Sequence, residues 1–170
     1  MMKRLATGER IPHRDRPEQQ PVIGILLVTH GRLAEELKTA ALTIQPDIEQ
    51  IVAVALDWSQ VGDDASRQIA EGLEKADRGD GAVILTDMFG GTPTNLTLPF
   101  LKRDRVEIVT GVNLPMLLKC AALQKSGKPV VEIAHVAKDR GQRSIYVASD
   151  LLADEAVAAA GLAPDKGEGE

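Results

Sequence analysis

Continuous apolar runs divide the middle of the chain into strand-length segments. Such runs are typical of strands that are buried on both faces of a parallel sheet. The three clearest are VIGILLV (22–28), IVAVAL (51–56) and AVILT (82–86). A fourth, VEIVT (106–110), alternates more between apolar and polar residues and predicts a less covered strand. The pattern therefore predicts four strands in this order along the chain.

Apolar residues at helical spacing follow the predicted strands. The first two sets are Leu33, Leu37, Ala41 and Ile44, and then Val61, Ala65, Ile69 and Leu73. A third helix is predicted to open at GGTPTNL (90–96), and Pro99 should kink or shorten it. A fourth helix is predicted over residues 114–123, and a short fifth one from Pro129 to Gly141.

The regular alternation of strands and helices predicts a doubly wound α/β domain with a mainly parallel sheet and helices on both faces. The last apolar segment, RSIYVAS (143–149), places Ile145 and Val147 on one face and predicts a strand at an edge of the sheet. Ligands of such folds bind beyond the carboxyl ends of the strands, where the strand order reverses.

Composition adds the expected boundaries of the domain. Residues 1–20 are polar and contain prolines, so we expect a flexible tail there. Residues 153–170 turn to Ala, Gly and Glu and are expected to form a second flexible tail. The domain is therefore predicted over residues 21–152.

Charge and cysteine content narrow the class of protein. The net charge of -5 and the pI of about 5.3 give no support for nucleic-acid binding. The single cysteine, Cys120, excludes an internal disulfide framework and fits a reducing compartment. No apolar run reaches the ~18 residues of a membrane span, and no apolar signal segment follows the first residues. We therefore expect a cytoplasmic protein without membrane insertion.

Chemically useful residues stand directly after the first and third predicted strands. The first strand leads into Thr29, His30 and Gly31, and the third into DMFGGTPTN (87–95). For a strand order of 2-1-3-4, His30 and Asp87 would lie side by side. A carboxylate beside an imidazole accepts the proton of one ring nitrogen and fixes the tautomer. The other nitrogen can then act as a nucleophile or base.

The glycine-rich turn beside this pair predicts an anion site. Gly90 and Gly91 permit close approach of the backbone, Thr92 is predicted as the N-cap, and Pro93 fits the first helical position. The N–H groups at a helix start favour a phosphate. Together, histidine, carboxylate and anion cradle favour phosphoryl transfer through phosphohistidine. Each feature also has a purely structural interpretation, as a packing histidine, a capping aspartate or an ordinary turn into a helix.

Three motifs, taken together, resemble the enzyme IIA component of the mannose-type family of the bacterial sugar phosphotransferase system. They are GILLVTHGRLAEEL (24–37), VILTDMFGGTPTN (83–95) and IVTGVNLPMLL (108–118). The resemblance covers about residues 22–152 and implies the strand order 2-1-3-4. It further implies a homodimer in which a fifth, antiparallel strand, matched here by residues 143–149, is exchanged between the subunits.

The resemblance also implies roles for single residues. His30 matches the phosphorylated histidine, which takes a phosphoryl group from the phosphocarrier protein HPr and passes it to an enzyme IIB partner. Asp87 matches the carboxylate that hydrogen-bonds this histidine, and Thr92 matches a hydroxyl at the phosphate site. We expect the phosphate site to be formed by Thr29, Gly31, Gly90, Gly91 and Thr92. No cofactor or metal is expected, since the three histidines are scattered and Cys120 stands alone.

Two other functions stay open at the level of the sequence. The chain could be the phosphotransfer subunit that feeds a dihydroxyacetone kinase, although GGTPTN (90–95) argues against this assignment. It could also be a regulatory binding module that phosphorylation switches. Two polar residues stay open as well: Arg32 could meet the phosphate or the glutamates of its own helix, and Asn113 could border the site or cap a helix. The sugar cannot be read from the sequence, because specificity in this system lies in the membrane component.

Overall fold

A four-stranded parallel sheet with the strand order β2-β1-β3-β4 forms the centre of the chain. The computed structural model describes residues 21–48, 51–57 and 62–151. The strands are β1 (Gly24–His30), β2 (Ile51–Leu56), β3 (Ala82–Thr86) and β4 (Val106–Thr110). All three pairings are parallel. The predicted fold class and strand order are thus confirmed.

Helices connect the strands and extend beyond them. They are α1 (Leu33–Ile44), α2 (Asp63–Ala76), α3 (Thr92–Thr97), α4 (Leu114–Ala122) and α5 (Val130–Gln142). A short 3-10 helix, Leu98–Phe100, follows α3 directly. Pro99 lies in this tighter turn, so the expected shortening of the third helix is confirmed. The fifth helix has 13 residues and begins and ends one residue later than predicted.

Alternate residues of β1 build two separate cores, one on each face of the sheet. Ile25 and Leu27 pack with residues of α1, α4 and α5 on one face. Leu26 and Val28 pack with residues of α2 on the other. All four side chains are fully buried. Burial on both faces explains why this segment reads as a continuous apolar run rather than an alternating one.

The first strand runs two residues further than its apolar run. Thr29 and His30 continue the parallel pairing with Ala55 and Leu56 of β2. The apolar pattern ends at Val28 because Thr29 and His30 have polar side chains. Backbone pairing does not depend on side-chain polarity, so the strand continues through them. The histidine is therefore the last residue of a central strand and is fixed by the sheet itself.

A partly buried carboxylate at the opposite, amino end of the sheet joins two loops. Asp77 accepts hydrogen bonds from the N–H groups of Gly79 and Gly81 at 2.8 and 2.9 Å. It also forms an ion pair of 2.8 Å with Arg105. Burial would raise the pKa of Asp77, but the two backbone N–H groups and Arg105 hold it below its ordinary value of 3.8. This carboxylate stabilises the entry into β3 and stands far along the strands from His30.

The predicted fifth strand is absent from the described chain. Residues 143–144 form a turn, residues 145–147 have no regular structure, and a helix begins at Ala148. Ile145, Tyr146 and Val147 are 74%, 65% and 62% exposed. A strand needs a neighbour for its N–H and C=O groups, and in the described part of the chain this segment pairs with no strand. Both predicted tails, residues 1–20 and 153–170, lie outside the described residues, as does Val61 of the predicted second helix.

Candidate active site

The pairing of β1 with β3 brings a histidine and an aspartate together. Val28 is the partner of Thr86 in the parallel register. His30 lies two residues beyond Val28, and Asp87 lies one residue beyond Thr86, at the same edge of the sheet. The ring Nδ1 of His30 is 2.8 Å from Oδ2 of Asp87. The structure therefore unites the two residues that the sequence placed at neighbouring strand ends.

Both oxygens of the Asp87 carboxylate accept hydrogen bonds. Oδ2 accepts one from the backbone N–H of His30 at 2.9 Å, besides the ring. Oδ1 accepts one from the backbone N–H of Met88 at 2.9 Å. Burial would raise the pKa of Asp87, but the backbone and ring hydrogen bonds of His30, its charge, and the Met88 N–H hold the pKa below 3.8. The carboxylate is thus ionised at neutral pH.

An ionised carboxylate determines the tautomer of the neutral imidazole. It can only accept hydrogen bonds, so the proton in the contact must be carried by Nδ1 of His30. The lone pair of the neutral ring then lies on Nε2. The His30 side chain is 18% exposed, so it is not sealed within the core. This arrangement provides an oriented nucleophilic nitrogen.

A glycine is required beside the imidazole. A Cβ at Gly91 would lie 2.9 Å from Cε1 and 3.5 Å from Nε2 of His30, and 3.2 Å from Cγ of Met88. The first distance is shorter than real contacts of such atoms, so any side chain at this position would displace the ring. Gly90 has a φ of +78°, which other residues rarely adopt. Gly91 therefore leaves free the space beside the ring edge that carries Nε2, and Gly90 permits the backbone conformation of the turn before it.

The start of α3 differs by one residue from the prediction. Gly91 has extended backbone angles and occupies the N-cap position, whereas Thr92 is already the first helical residue. The predicted cap at Thr92 is therefore wrong, and Pro93 is the second helical residue rather than the first. The shift places the small glycine, and not the threonine side chain, next to the imidazole. Thr92 is exposed at the rim of the site.

Two residues that were predicted to bind the phosphate, Thr29 and Gly31, form hydrogen bonds with other parts of the protein. Thr29 is fully buried, and its hydroxyl accepts a hydrogen bond of 2.7 Å from the N–H of Ala34 in α1. Gly31 has a φ of +51° and donates its N–H to the carbonyl of Leu56 at 2.9 Å. Both residues therefore shape the turn from β1 into α1 behind the histidine.

The two polar residues with open roles have structural partners. Arg32 is exposed and contacts Glu35 and Glu36 of its own helix at 3.4 and 3.0 Å. Asn113 caps α4 by accepting a hydrogen bond of 3.0 Å from the N–H of Met116. In both cases the structural alternative is the observed one.

Sequence reasoning missed a pair of buried threonines below the turn. The hydroxyls of Thr86 and Thr94 are 2.8 Å apart, and Thr94 donates to the carbonyl of Met88 at 2.6 Å. Their exposed fractions are 0% and 1%. The available signal was the position of a threonine at the end of a buried strand, where the core needs a partner for each hydroxyl.

A groove runs along the outer edge of β4. It has a volume of about 490 Å³ and is lined by residues of β4 and α5, including Glu107, Thr110, His135 and Lys138. Phe89, from the active-site turn, lies at one end and is 79% exposed. Among the helices of the described ranges, none combines the length and the apolar character that crossing a membrane requires.

Comparisons with known proteins agree with this geometry. Residues 24–138 match the family EIIA-man, described as "PTS system fructose IIA component". The fructose-specific EIIA component of Bacillus subtilis is 26% identical over 132 residues, which are 77% of this chain and 90% of that protein. The mannose-specific EIIAB component of Escherichia coli K12 is 23% identical over 145 residues, 85% of this chain but only 45% of that protein.

A solved structure extends the similarity to three dimensions. The PTS IIA protein associated with the fucose utilization operon of Streptococcus pneumoniae matches with a TM-score of 0.67 and 26% identity, over 78% of this chain and 98% of that one. The chain therefore belongs to the mannose-type EIIA family of the sugar phosphotransferase system. As a member of this family it is a phosphotransferase-system phosphocarrier.

The contact between Asp87 and His30 predicts how stability depends on pH. The folded pKa of Asp87 lies below its ordinary value of 3.8. The contribution of this carboxylate to the free energy of unfolding is therefore fully present above pH 3.8 and is lost as the pH falls through the folded pKa. Urea unfolding of the wild type and of Asp87→Asn, measured from about pH 5 to about pH 2.5, should show a stability difference that shrinks toward the acid end. A difference that stays constant over this range would contradict the assignment.

Proposed function

We propose that this chain carries a phosphoryl group on Nε2 of His30, received from the phosphocarrier protein HPr and passed to an enzyme IIB partner in the cytoplasm. The observation that carries the proposal is the 2.8 Å contact between Nδ1 of His30 and Oδ2 of Asp87. Membership of the EIIA family supports the pathway. The same membership favours sugar uptake over delivery to a dihydroxyacetone kinase.

The proposed chemistry needs no proton to leave the site. The lone pair on Nε2 attacks the phosphorus of the donor's phosphohistidine, the donor's N–P bond breaks, and its electron pair returns to the donor ring. The phosphorylated ring of His30 keeps its proton on Nδ1 and becomes positively charged. The adjacent Asp87 carboxylate stabilises this charge. When the acceptor histidine attacks the phosphorus in turn, His30 returns to its neutral tautomer.

The phosphate oxygens would lie over the glycine turn. Gly90 and Gly91 leave room for a close approach at the edge of the ring, and the first N–H groups of a helix have no partner within it. The exposed hydroxyl of Thr92 stands at the rim, where it can donate to a phosphate oxygen. Thr29 and Gly31 do not face the phosphate in this proposal. Their hydrogen bonds to Ala34 and Leu56 fix the turn that follows His30.

Histidine substitution tests the carrier assignment. Purified protein is incubated with phosphoenolpyruvate, enzyme I and HPr, and its intact mass is recorded at neutral pH. The wild type should gain one phosphoryl group, which acid removes because a phosphoramidate is acid-labile. His30→Gln should gain none. His135→Gln is the matched control, since this histidine lies on α5 beside the β4 groove. A mass gain that persists in His30→Gln, or no gain in the wild type with active HPr, would refute the proposal.

We further propose a homodimer in which residues 143–149 pair with the outer edge of β4 of the partner subunit. Three observations support it: the apolar side chains of Ile145 and Val147 are exposed, β4 is the last strand of the described sheet, and a groove follows its edge. An added strand would cover the N–H and C=O groups of this edge.

Light scattering during gel filtration tests the dimer. The wild type should elute with twice the mass of one chain, and the double variant Ile145→Asp, Val147→Asp should elute with the mass of one chain, because charges oppose burial in the groove. Ile44→Asp is the matched control, since Ile44 is also exposed but lies at the end of α1. A wild type of single-chain mass, or a double variant that stays dimeric, would contradict this assembly.

A further inference from the structure

The two buried threonines below the active-site turn belong to different elements. Thr86 is the last residue of β3, and Thr94 lies in α3. Their hydroxyl oxygens are 2.8 Å apart, and Oγ1 of Thr94 is also 2.6 Å from the carbonyl oxygen of Met88. Both side chains are buried. A buried hydroxyl without a hydrogen-bond partner destabilises the folded state. Both hydroxyls are therefore expected to keep these partners.

Counting protons fixes the direction of these hydrogen bonds. A carbonyl oxygen can only accept, and a hydroxyl has a single proton. The proton of Thr94 therefore goes to the carbonyl of Met88. The proton between the two threonines must then come from Thr86, which donates to Thr94. Thr86 of β3 thus donates to the hydroxyl of Thr94 in α3, and that hydroxyl donates to the backbone carbonyl of Met88 in the turn.

The same turn residue also holds the catalytic carboxylate. The N–H of Met88 donates to Oδ1 of Asp87 at 2.9 Å, while Oδ2 accepts from the ring of His30. The χ2 angle of an aspartate has broad minima, so hydrogen bonds determine the plane of its carboxylate. Anchoring the carbonyl of Met88 therefore restricts the backbone from which the carboxylate is oriented.

We propose that Thr94 is a positioning residue for the His30 site, acting through Met88 and Asp87. Its effect on catalysis rests on the proposed phosphocarrier function, whereas its effect on the His30–Asp87 contact does not. Without the Thr94 hydroxyl, the Met88 carbonyl loses its buried donor and the turn shifts. The carboxylate then no longer holds the proton of Nδ1 in a single geometry, and Nε2 is misaligned for attack on the phosphorus.

The test compares Thr94→Val and Thr94→Ser with a matched control, Thr97→Val. Thr97 lies in the same helix, is fully buried, and donates its hydroxyl to the carbonyl of Thr94 at 2.7 Å. Thr97→Val therefore removes a hydrogen bond of the same kind, but one made to the backbone of Thr94 and not to Met88. Three quantities are measured: the midpoint of thermal unfolding, kcat and KM for transfer from phosphorylated HPr, and the ¹⁵N and ¹H resonances of the His30 ring in the unphosphorylated protein.

Thr94→Val should lower kcat at least about tenfold, since a misplacement of about 1 Å can cost about a hundredfold in rate, with little change in KM. The Nδ1 proton signal of His30 should broaden or disappear. Thr94→Ser should restore both, because it keeps the hydroxyl. Thr97→Val should lower the unfolding midpoint but leave kcat and the Nδ1 proton signal unchanged. Thr94→Ala removes the same hydroxyl in a smaller side chain and carries the same expectation if the valine variant does not fold.

A Thr94→Val protein with the wild-type kcat and the wild-type Nδ1 proton signal would overturn the proposal. So would a Thr97→Val protein that loses kcat and the signal to the same extent. If the wild type accepts no phosphoryl group, the proposed function fails, but the ring resonances still decide whether Thr94 positions the His30–Asp87 pair.

Discussion

The parallel pairing of β1 with β3 is the constraint on which the site depends. It places Val28 beside Thr86, so that His30 and Asp87 follow at the same edge of the sheet. Their side chains then meet at 2.8 Å without any contribution from a long loop. Because both strands lie in the middle of the sheet and are buried on both faces, their ends are held rigidly. Precise placement of this kind is what the proposed transfer between two histidines requires.

The surroundings of the pair are built from small residues and buried hydroxyls. Gly91 gives the imidazole its space, and Thr94 ties the intervening turn to the sheet through Thr86. The carboxylate is kept ionised by the hydrogen bonds it accepts, and this in turn keeps the proton on Nδ1 of His30. The sheet, the turn and the start of α3 therefore all contribute to the position of the His30 ring and of its Nε2.

Much of this arrangement could be predicted from the sequence, because burial on both faces leaves a clear apolar pattern. The bounds of β2, β3 and β4 coincide with their apolar runs. The end of β1 was missed, since the backbone pairing of Thr29 and His30 with β2 leaves no trace in side-chain polarity. The motifs also located the histidine and the carboxylate, because strand ends of one sheet meet at one edge.

Features that depend on tertiary contacts could not be predicted from the sequence. The hydrogen bond from Thr94 to Met88 joins residues whose relation is set only when α3 packs on the sheet. Likewise, α3 starts at Thr92 rather than Pro93, and Gly91 precedes it in an extended conformation that the sequence pattern does not reveal. Residues 143–149 have the composition of a strand but form none in a single chain, since a strand is defined by its neighbour.

The measurement that tests the central claim most directly is the scalar coupling between phosphorus and the ring nitrogens of His30 in the ¹⁵N-labelled phosphoprotein. If Asp87 holds the proton on Nδ1, the large one-bond coupling to ³¹P must appear at Nε2, and Nδ1 must still carry its proton. A one-bond coupling at Nδ1 would show that the carboxylate does not direct the phosphoryl group as the structure requires, and the account of the site would be wrong.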